Sequence, residues 1–226
     1  MSDRLLQVIE AGRVPYDQAL AWQRRLAAER VDKSLAHDVL LLLEHPPVIT
    51  LGRGSHGEHL LETDGIDVVE VERGGDVTFH GPGQLVGYPI LDLTQHKQDL
   101  HWYLRTLEQV LIDALSTLGV PAERRAGYTG VWTSAGGARR KIASIGVHVK
   151  QWVTWHGFAL NVSTDLSSFA RIVPCGINDV VMTSIEQETG VSNWDATIDA
   201  VIPAFESAFG LIASLRTPRA AAEPRL

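Results

Sequence analysis

Ile142-Ala143-Ser144-Ile145-Gly146-Val147-His148-Val149 is followed, after Lys150-Gln151-Trp152, by Val153-Thr154-Trp155-His156-Gly157-Phe158-Ala159-Leu160-Asn161-Val162. Both runs read as strands joined by a turn. In the second, alternation places His156, Phe158, Leu160 and Val162 on one face and Trp155, Gly157, Ala159 and Asn161 on the other. Gly157 and Ala159 hollow that second face, which suits an acyl chain, a closely approaching backbone or a packed helix. In the first run, register carried back to Lys141 turns its ammonium to the side of Ala143, Ile145, Val147 and Val149, where a cation needs a partner or a cleft. A bulge would instead turn Lys141 outward beside Arg139 and Arg140.

Working outward, strands are expected at residues 5–9, 39–43, 48–51, 68–71, 85–91 and 131–133, with Glu44-His45-Pro46-Pro47 as a proline turn. A helix should start at Pro15, whose fixed φ suits a first turn, with Tyr16, Ala19, Leu20, Leu26 and Ala27 on its buried stripe. Residues 100–118 carry apolar side chains at spacings of three and four up to Gly119, and a last helix covers 196–209. Strands in runs with few helices between them predict an α/β (α+β) protein, a mixed central sheet flanked by helices. One domain over 1–215 and a mobile tail at 216–226 are expected.

The 226 residues, 45% of them hydrophobic, suffice for one substantial core. A net charge of −7 argues against a nucleic-acid binder, whose affinity comes from neutralising phosphates. The single cysteine excludes an internal disulfide, and the first ten residues lack a signal-peptide apolar stretch. The longest apolar run, 39–43, is far short of the ~18 to 20 residues of a membrane span. A soluble, cytoplasmic, monomeric protein without membrane association is therefore expected.

Two segments stand apart chemically. Cys175, in Val173-Pro174-Cys175-Gly176-Ile177, sits on a turn that presents a side chain, as a nucleophile or as a bystander. Arg73-Gly74-Gly75-Asp76-Val77-Thr78-Phe79-His80-Gly81-Pro82-Gly83-Gln84 is either a loop whose backbone approaches a ligand or a glycine-rich hairpin with a satisfied histidine. Gly52-Arg53-Gly54-Ser55-His56-Gly57 has dinucleotide-fingerprint spacing but opens no long helix pattern, so it reads as a glycine turn. His56 and His59 read as solvated loop residues, and with no His-Glu-x-x-His and no cysteine pair no metal is expected.

Taken in order, Arg73 to Gln84, Tyr88-Pro89-Ile90, Lys141-Ile142-Ala143-Ser144-Ile145-Gly146, His156-Gly157-Phe158-Ala159-Leu160-Asn161 and Pro174-Cys175-Gly176 closely resemble the lipoyl(octanoyl) transferase family. Glu44-His45-Pro46-Pro47-Val48 and Leu51-Gly52-Arg53 match another of its segments. The resemblance implies a biotin and lipoate protein ligase-like fold and transfer of octanoyl from the phosphopantetheine of acyl carrier protein to a lysine. The acceptors implied are lipoyl domains of 2-oxoacid dehydrogenases and the glycine cleavage H protein, with no further cofactor. Cys175 matches the acyl-thioester nucleophile and Lys141 the lysine that lowers its pKa. Arg73, Gly74, Gly75, Asp76, Val77, Thr78, Phe79 and His80, with Ser144, Ile145, Gly146, Gly157, Phe158 and Ala159, match substrate-binding stretches. Phe79 and Ile49 depart from hydroxyl-bearing aromatics common in the family.

The implied chemistry is consistent with the residue types. An ammonium ~4 Å from a sulfur, at an effective dielectric of ~20, interacts by ~4 kcal/mol, enough to shift a thiol by two to three pKa units before desolvation is subtracted. His80 is expected to help hold the developing oxyanion. Because acyl carrier proteins are acidic, Arg139 and Arg140, then Arg53 and Lys150, are the expected docking cations. An ATP-dependent lipoate or biotin ligase is the alternative.

Overall fold

The apolar runs form the middle of a mixed sheet. The computed structural model describes residues 4–63, 65–133, 140–176 and 180–217, without the Cys175 side chain. In chain order the strands are β1 (Arg4–Arg13), β2 (Asp38–Glu44), β3 (Val48–Leu51), β4 (Asp67–Glu70), β5 (Val77–His80), β6 (Gln84–Ile90), β7 (Ala122–Arg125), β8 (Tyr128–Thr133), β9 (Arg140–Lys150), β10 (Val153–Asn161) and β11 (Leu211–Thr217). The helices are α1 (Tyr16–Val31), α2 (Leu100–Thr117), α3 (Ile185–Thr189) and α4 (Trp194–Phe209). Eight strands form one sheet in the order β11-β1-β2-β6-β10-β9-β8-β7, and β4-β3-β5 form a second, smaller sheet. The β11, β1 and β2 ladders are parallel, and the chain is antiparallel from β2 onward across the large sheet.

Every residue of β2 is buried because both faces of the sheet are covered. Leu40 and Leu42 enter the core beneath α2 and α4, whereas Val39, Leu41 and Leu43 enter the core beneath α1, the two-residue alternation of a strand. Each such leucine contributes about 2 kcal/mol of burial. α2 starts where the Asp99 carboxylate accepts from Trp102 N at 3.0 Å, and α4 where Asn193 caps Ala196 N at 3.0 Å. Pro46-Pro47 takes the chain from β2 in the large sheet to β3 in the small one, so these two strands do not pair with each other. Tyr16 and Leu20 of α1 then pack on Val48 and Val71, which seats the small sheet beside that helix.

Four elements escape the sequence patterns. β5 is hidden in a glycine-rich segment, and β7 is a charged edge strand, Ala-Glu-Arg-Arg. α3 is a single short helix, and β11 runs through Arg216 and Thr217, residues expected in a tail. Thr217 aligns with Ile9 of β1, and Arg216 pairs with Glu10 and Asp199, which explains why the strand extends that far. Residues 218–226, the rest of that expected tail, lie outside the described residues. Among the described residues no helix is long and apolar enough to cross a membrane.

Candidate active site

A cleft opens between the two sheets, and the alternation of β5 decides what reaches it. Thr78 and His80 line it with Arg73, Gly75 and Asp76 from the preceding loop, facing Ser144, Ile145 and Gly146 of β9 and Gly157, Phe158 and Ala159 of β10. Val77 and Phe79, grouped with them on the family resemblance, point the other way, into a small core with Ile49, Phe169, Ile172 and Met182. Gly74 donates its amide to Val147 O at 2.9 Å and so ties the loop to β9 without lining the cleft. The Arg73 guanidinium is buried and donates to Thr50 O at 2.8 Å and Thr50 Oγ1 at 2.9 Å, holding that loop to β3. Tyr16, Tyr88 and His156 also line the cleft. The alternation of β6 and the stripe of α1 are the available signals for the two tyrosines.

Two local breaks in register matter. His156 has φ 55, so both Trp155 and His156 reach toward Glu72: Trp155 Nε1 donates to its carboxylate at 2.8 Å and His156 Nε2 lies 3.8 Å away. Strict alternation puts these neighbours on opposite faces. The imidazole, the Arg24 guanidinium and the indole together hold the Glu72 carboxyl well below the usual range. Gly157 is glycine because a Cβ there would run into the Gly87 carbonyl and come within 2.6 Å of Pro89 Cδ, the close backbone approach among the three readings of that face.

The second break sits at Lys141. The β8–β9 register shifts between Val131 and Trp132, so Ile142 and Ala143 both join the large core. A bulge does occur, as one reading of the sequence allows, yet it buries Lys141. The lysine is 1% exposed, and its Nζ stands 5.4 Å from the centroid of the Trp132 ring. Gly130, at φ 124, makes the space: a Cβ there would lie 2.9 Å from Lys141 Cε. The Glu108 carboxylate, itself fully buried, fixes Gly130 by accepting its amide at 3.2 Å.

The cysteine loop reaches the same neighbourhood through its ends. Ile172 and Met182 sit in one small core with Val77 and Phe79, so the excursion between them starts and finishes beside β5. Its returning end runs along Lys141: Lys141 N donates to Val181 O at 2.8 Å and Thr183 N donates to Lys141 O at 2.9 Å. Cys175 lies in a one-turn 3-10 segment, Pro174–Gly176, with Gly176 N donating to Val173 O at 3.0 Å. Its side chain, and Arg139, lie outside the described residues.

Hydrogen bonding settles the histidines at the closed end of the cleft. Asn161 Nδ2 donates to Thr183 O, which makes Asn161 Oδ1 the acceptor for Gln84 Nε2 at 3.0 Å; Gln84 Nε2 also donates to Phe79 O. Gln84 Oε1 therefore accepts from His80 Nδ1 at 2.8 Å, and His80 Nε2 in the neutral ring bears a lone pair. Burial, ahead of the nearby His45, keeps His80 neutral well below the usual imidazole range. A neutral ring in this tautomer accepts rather than donates at Nε2, so His80 does not serve as the expected oxyanion donor. His45 is fixed likewise, donating from Nδ1 to Val14 O and accepting at Nε2 from Tyr88 OH, both at 2.7 Å.

Burial lowers the His45 pKa to about 4. The unfolded chain binds a proton at this residue between about pH 6.5 and the folded pKa of about 4, where the folded protein does not, so stability falls as pH drops through that window. His45 alone should contribute a loss of about 3 kcal/mol. Urea unfolding at pH 7.5 and 4.5 should show this, and His45→Gln, which keeps a donor and an acceptor, should lose less over the same interval.

Against known proteins, residues 15–210 match the model of the lipoyl protein ligase A/B catalytic domain. An octanoyltransferase of Gloeobacter violaceus is 55% identical over 206 residues, 91% of this chain and 89% of its own length. The chain belongs to the lipoyl protein ligase A/B catalytic domain family. One from Geobacter sulfurreducens is 49% identical over 97% of this chain and 91% of its own. Among solved structures, lipoate-protein ligase A bound with ATP superposes with a TM-score of 0.76 at 16% identity, covering 96% of this chain and 90% of that one. The bi-partite lipoate protein ligase of Thermoplasma acidophilum gives 0.75 at 17%, covering 95% and 88%. The expected lipoate and biotin protein ligase fold is thus the fold of this family member.

Ile49 and Phe79 are cross-strand partners in β3 and β5, so the two unusual positions are one packing unit that carries no cleft-lining group. Arg140, its side chain 26% exposed, is held by Glu188 through two bonds of 2.8 Å. His59, expected in solvent, donates to the Asp76 carboxylate at 2.5 Å, whereas exposed His56 stands edge-on against it with centroids 5.6 Å apart. The Gly52 to Gly57 turn packs on the Arg73 loop, Arg53 N donating to Arg73 O and Gly54 N to Gly75 O at 3.0 Å, and leads into a three-residue 3-10 turn.

Proposed function

We propose that this chain is an octanoyltransferase acting through Cys175. The reading rests on a fully buried ammonium, Lys141, whose backbone is bonded to the returning end of the loop that carries the lone cysteine. The identity to proteins named octanoyltransferase supports the acyl group. In the first half-reaction the Cys175 thiolate attacks the thioester carbonyl of octanoyl-acyl carrier protein; a carbon–sulfur bond forms to Cys175 and the phosphopantetheine thiolate leaves. In the second, the neutral amine of a lipoyl-domain lysine attacks the octanoyl-enzyme, the amide forms and Cys175 leaves as thiolate. The proton shed by nitrogen passes to the thiolate released in the first step, or to Lys141 once its ammonium has given a proton to that departing thiolate.

Thioester exchange is nearly isoenergetic and amide formation runs downhill, so this route needs no nucleotide. The acceptors are lipoyl domains of 2-oxoacid dehydrogenases and the glycine cleavage H protein, and the working unit is a monomer. With Arg140 committed to Glu188, the acidic carrier is assigned to the exposed rim formed by Arg53 and Lys150, beside His148. Incubation with octanoyl-acyl carrier protein and a lipoyl domain, in nucleotide-free buffer, should yield octanoylated domain. Product appearing only with ATP and free octanoate would replace this reading with that of a ligase.

A further inference from the structure

His59 and Asp76 lie seventeen residues apart in the chain, yet they form a partly buried pair at the foot of the cysteine turn, with side chains 19% and 10% exposed. The Asp76 carboxylate is held at both oxygens: Oδ1 accepts from Val77 N at 2.6 Å and Oδ2 from His59 Nδ1 at 2.5 Å. Gly176 rests on that junction. Its φ is 65, and a Cβ added to it would run into Asp76 Oδ2 and come within 3.0 Å of His59 Cε1. The main chain of the same histidine grips the stem of the loop, because Val173 N donates to His59 O at 2.8 Å and Leu60 bridges to Ile172. The turn bearing Cys175 is thus seated on the side-chain pair by one end and on the backbone of its histidine by the other.

We infer that the His59–Asp76 pair is a clamp that fixes the Cys175 turn at the rim of the cleft. The inference rests on Cys175 as the acyl acceptor, and it gives Asp76 a positioning role in place of the substrate contact implied by resemblance. A left-handed residue other than glycine persists only where its surroundings hold it against the strain. Glycine at 176 both permits the conformation and leaves room for the carboxylate. Without the pair, the turn samples other conformations and the sulfur spends less time in line with a bound thioester, a loss that falls on turnover rather than on substrate affinity.

The test uses the full chain with Asp76→Ala, His59→Asn and wild type, each checked for an unchanged melting temperature. Hydrogen exchange at the Gly176 amide, which donates to Val173 O, reports the turn itself. Octanoyl transfer reports its consequence. Exchange should quicken at least about tenfold in both variants, and kcat should fall about ten- to a hundredfold with KM for octanoyl-carrier within twofold. Unchanged exchange at Gly176 overturns the clamp. Faster exchange with an unchanged kcat, or a loss confined to KM, overturns its positioning role. If wild type transfers no octanoyl group, the functional reading fails while the exchange measurement still judges the clamp.

Discussion

Replacing Cys175 by alanine should lower octanoyl transfer by at least about a thousandfold while leaving the fold intact, because covalent catalysis loses its nucleophile and retains only binding and orientation. The substitution removes one sulfur from a turn, and the segments on either side are held by Ile172 and Met182 in a core the change does not touch. Affinity for the lipoyl domain should be preserved. The check is single-turnover transfer from octanoyl-carrier together with a melting curve. A variant retaining more than about a tenth of wild-type activity would place the acyl group elsewhere.

Replacing Lys141 by methionine should slow transfer about a hundredfold and raise the pH at which the Cys175 thiol becomes reactive by about two to three units, toward the ordinary thiol value near 8.5. The sign follows from charge: a buried cation favours thiolate over thiol, and an uncharged side chain of similar length does not. Methionine fills the space beside Trp132 that Gly130 leaves open, and a melting curve checks that the fold is kept. Iodoacetamide labelling of Cys175 across pH 5 to 10 reads the midpoint directly. Coincident midpoints in the two proteins would separate Lys141 from the sulfur.

Much of the fold is legible because burial on both sheet faces leaves a simple imprint. The Val39-Leu40-Leu41-Leu42-Leu43 run and the three- and four-residue spacing of α2 arise from packing that repeats along the element. β7 and β11 escape because an edge strand needs backbone partners on one side only and tolerates charged side chains such as the Glu123-Arg124-Arg125 run. Alternation fails where the backbone leaves the regular strand. The bulge beside Ile142 sets the course of the strand at buried Lys141, and the left-handed His156 turns toward Glu72 alongside Trp155 rather than away from it.

The site residues divide in the same way. Thr78 and His80 are picked out together with Val77 and Phe79 because the segment is recognised whole, and only strand geometry separates cleft from core. His59 gives no signal in the sequence, since its partner Asp76 and the glycine they support are distant along the chain. The tautomer of His80 depends on two backbone carbonyls, Thr183 O and Phe79 O, that no pattern of side chains encodes.

The most direct measurement is the mass of the wild-type protein trapped in acid during its reaction with octanoyl-carrier in the absence of acceptor. The account predicts one added octanoyl group, released by hydroxylamine and mapped to the peptide containing Cys175. Formation of octanoylated lipoyl domain with no acyl group ever found on that cysteine would contradict it.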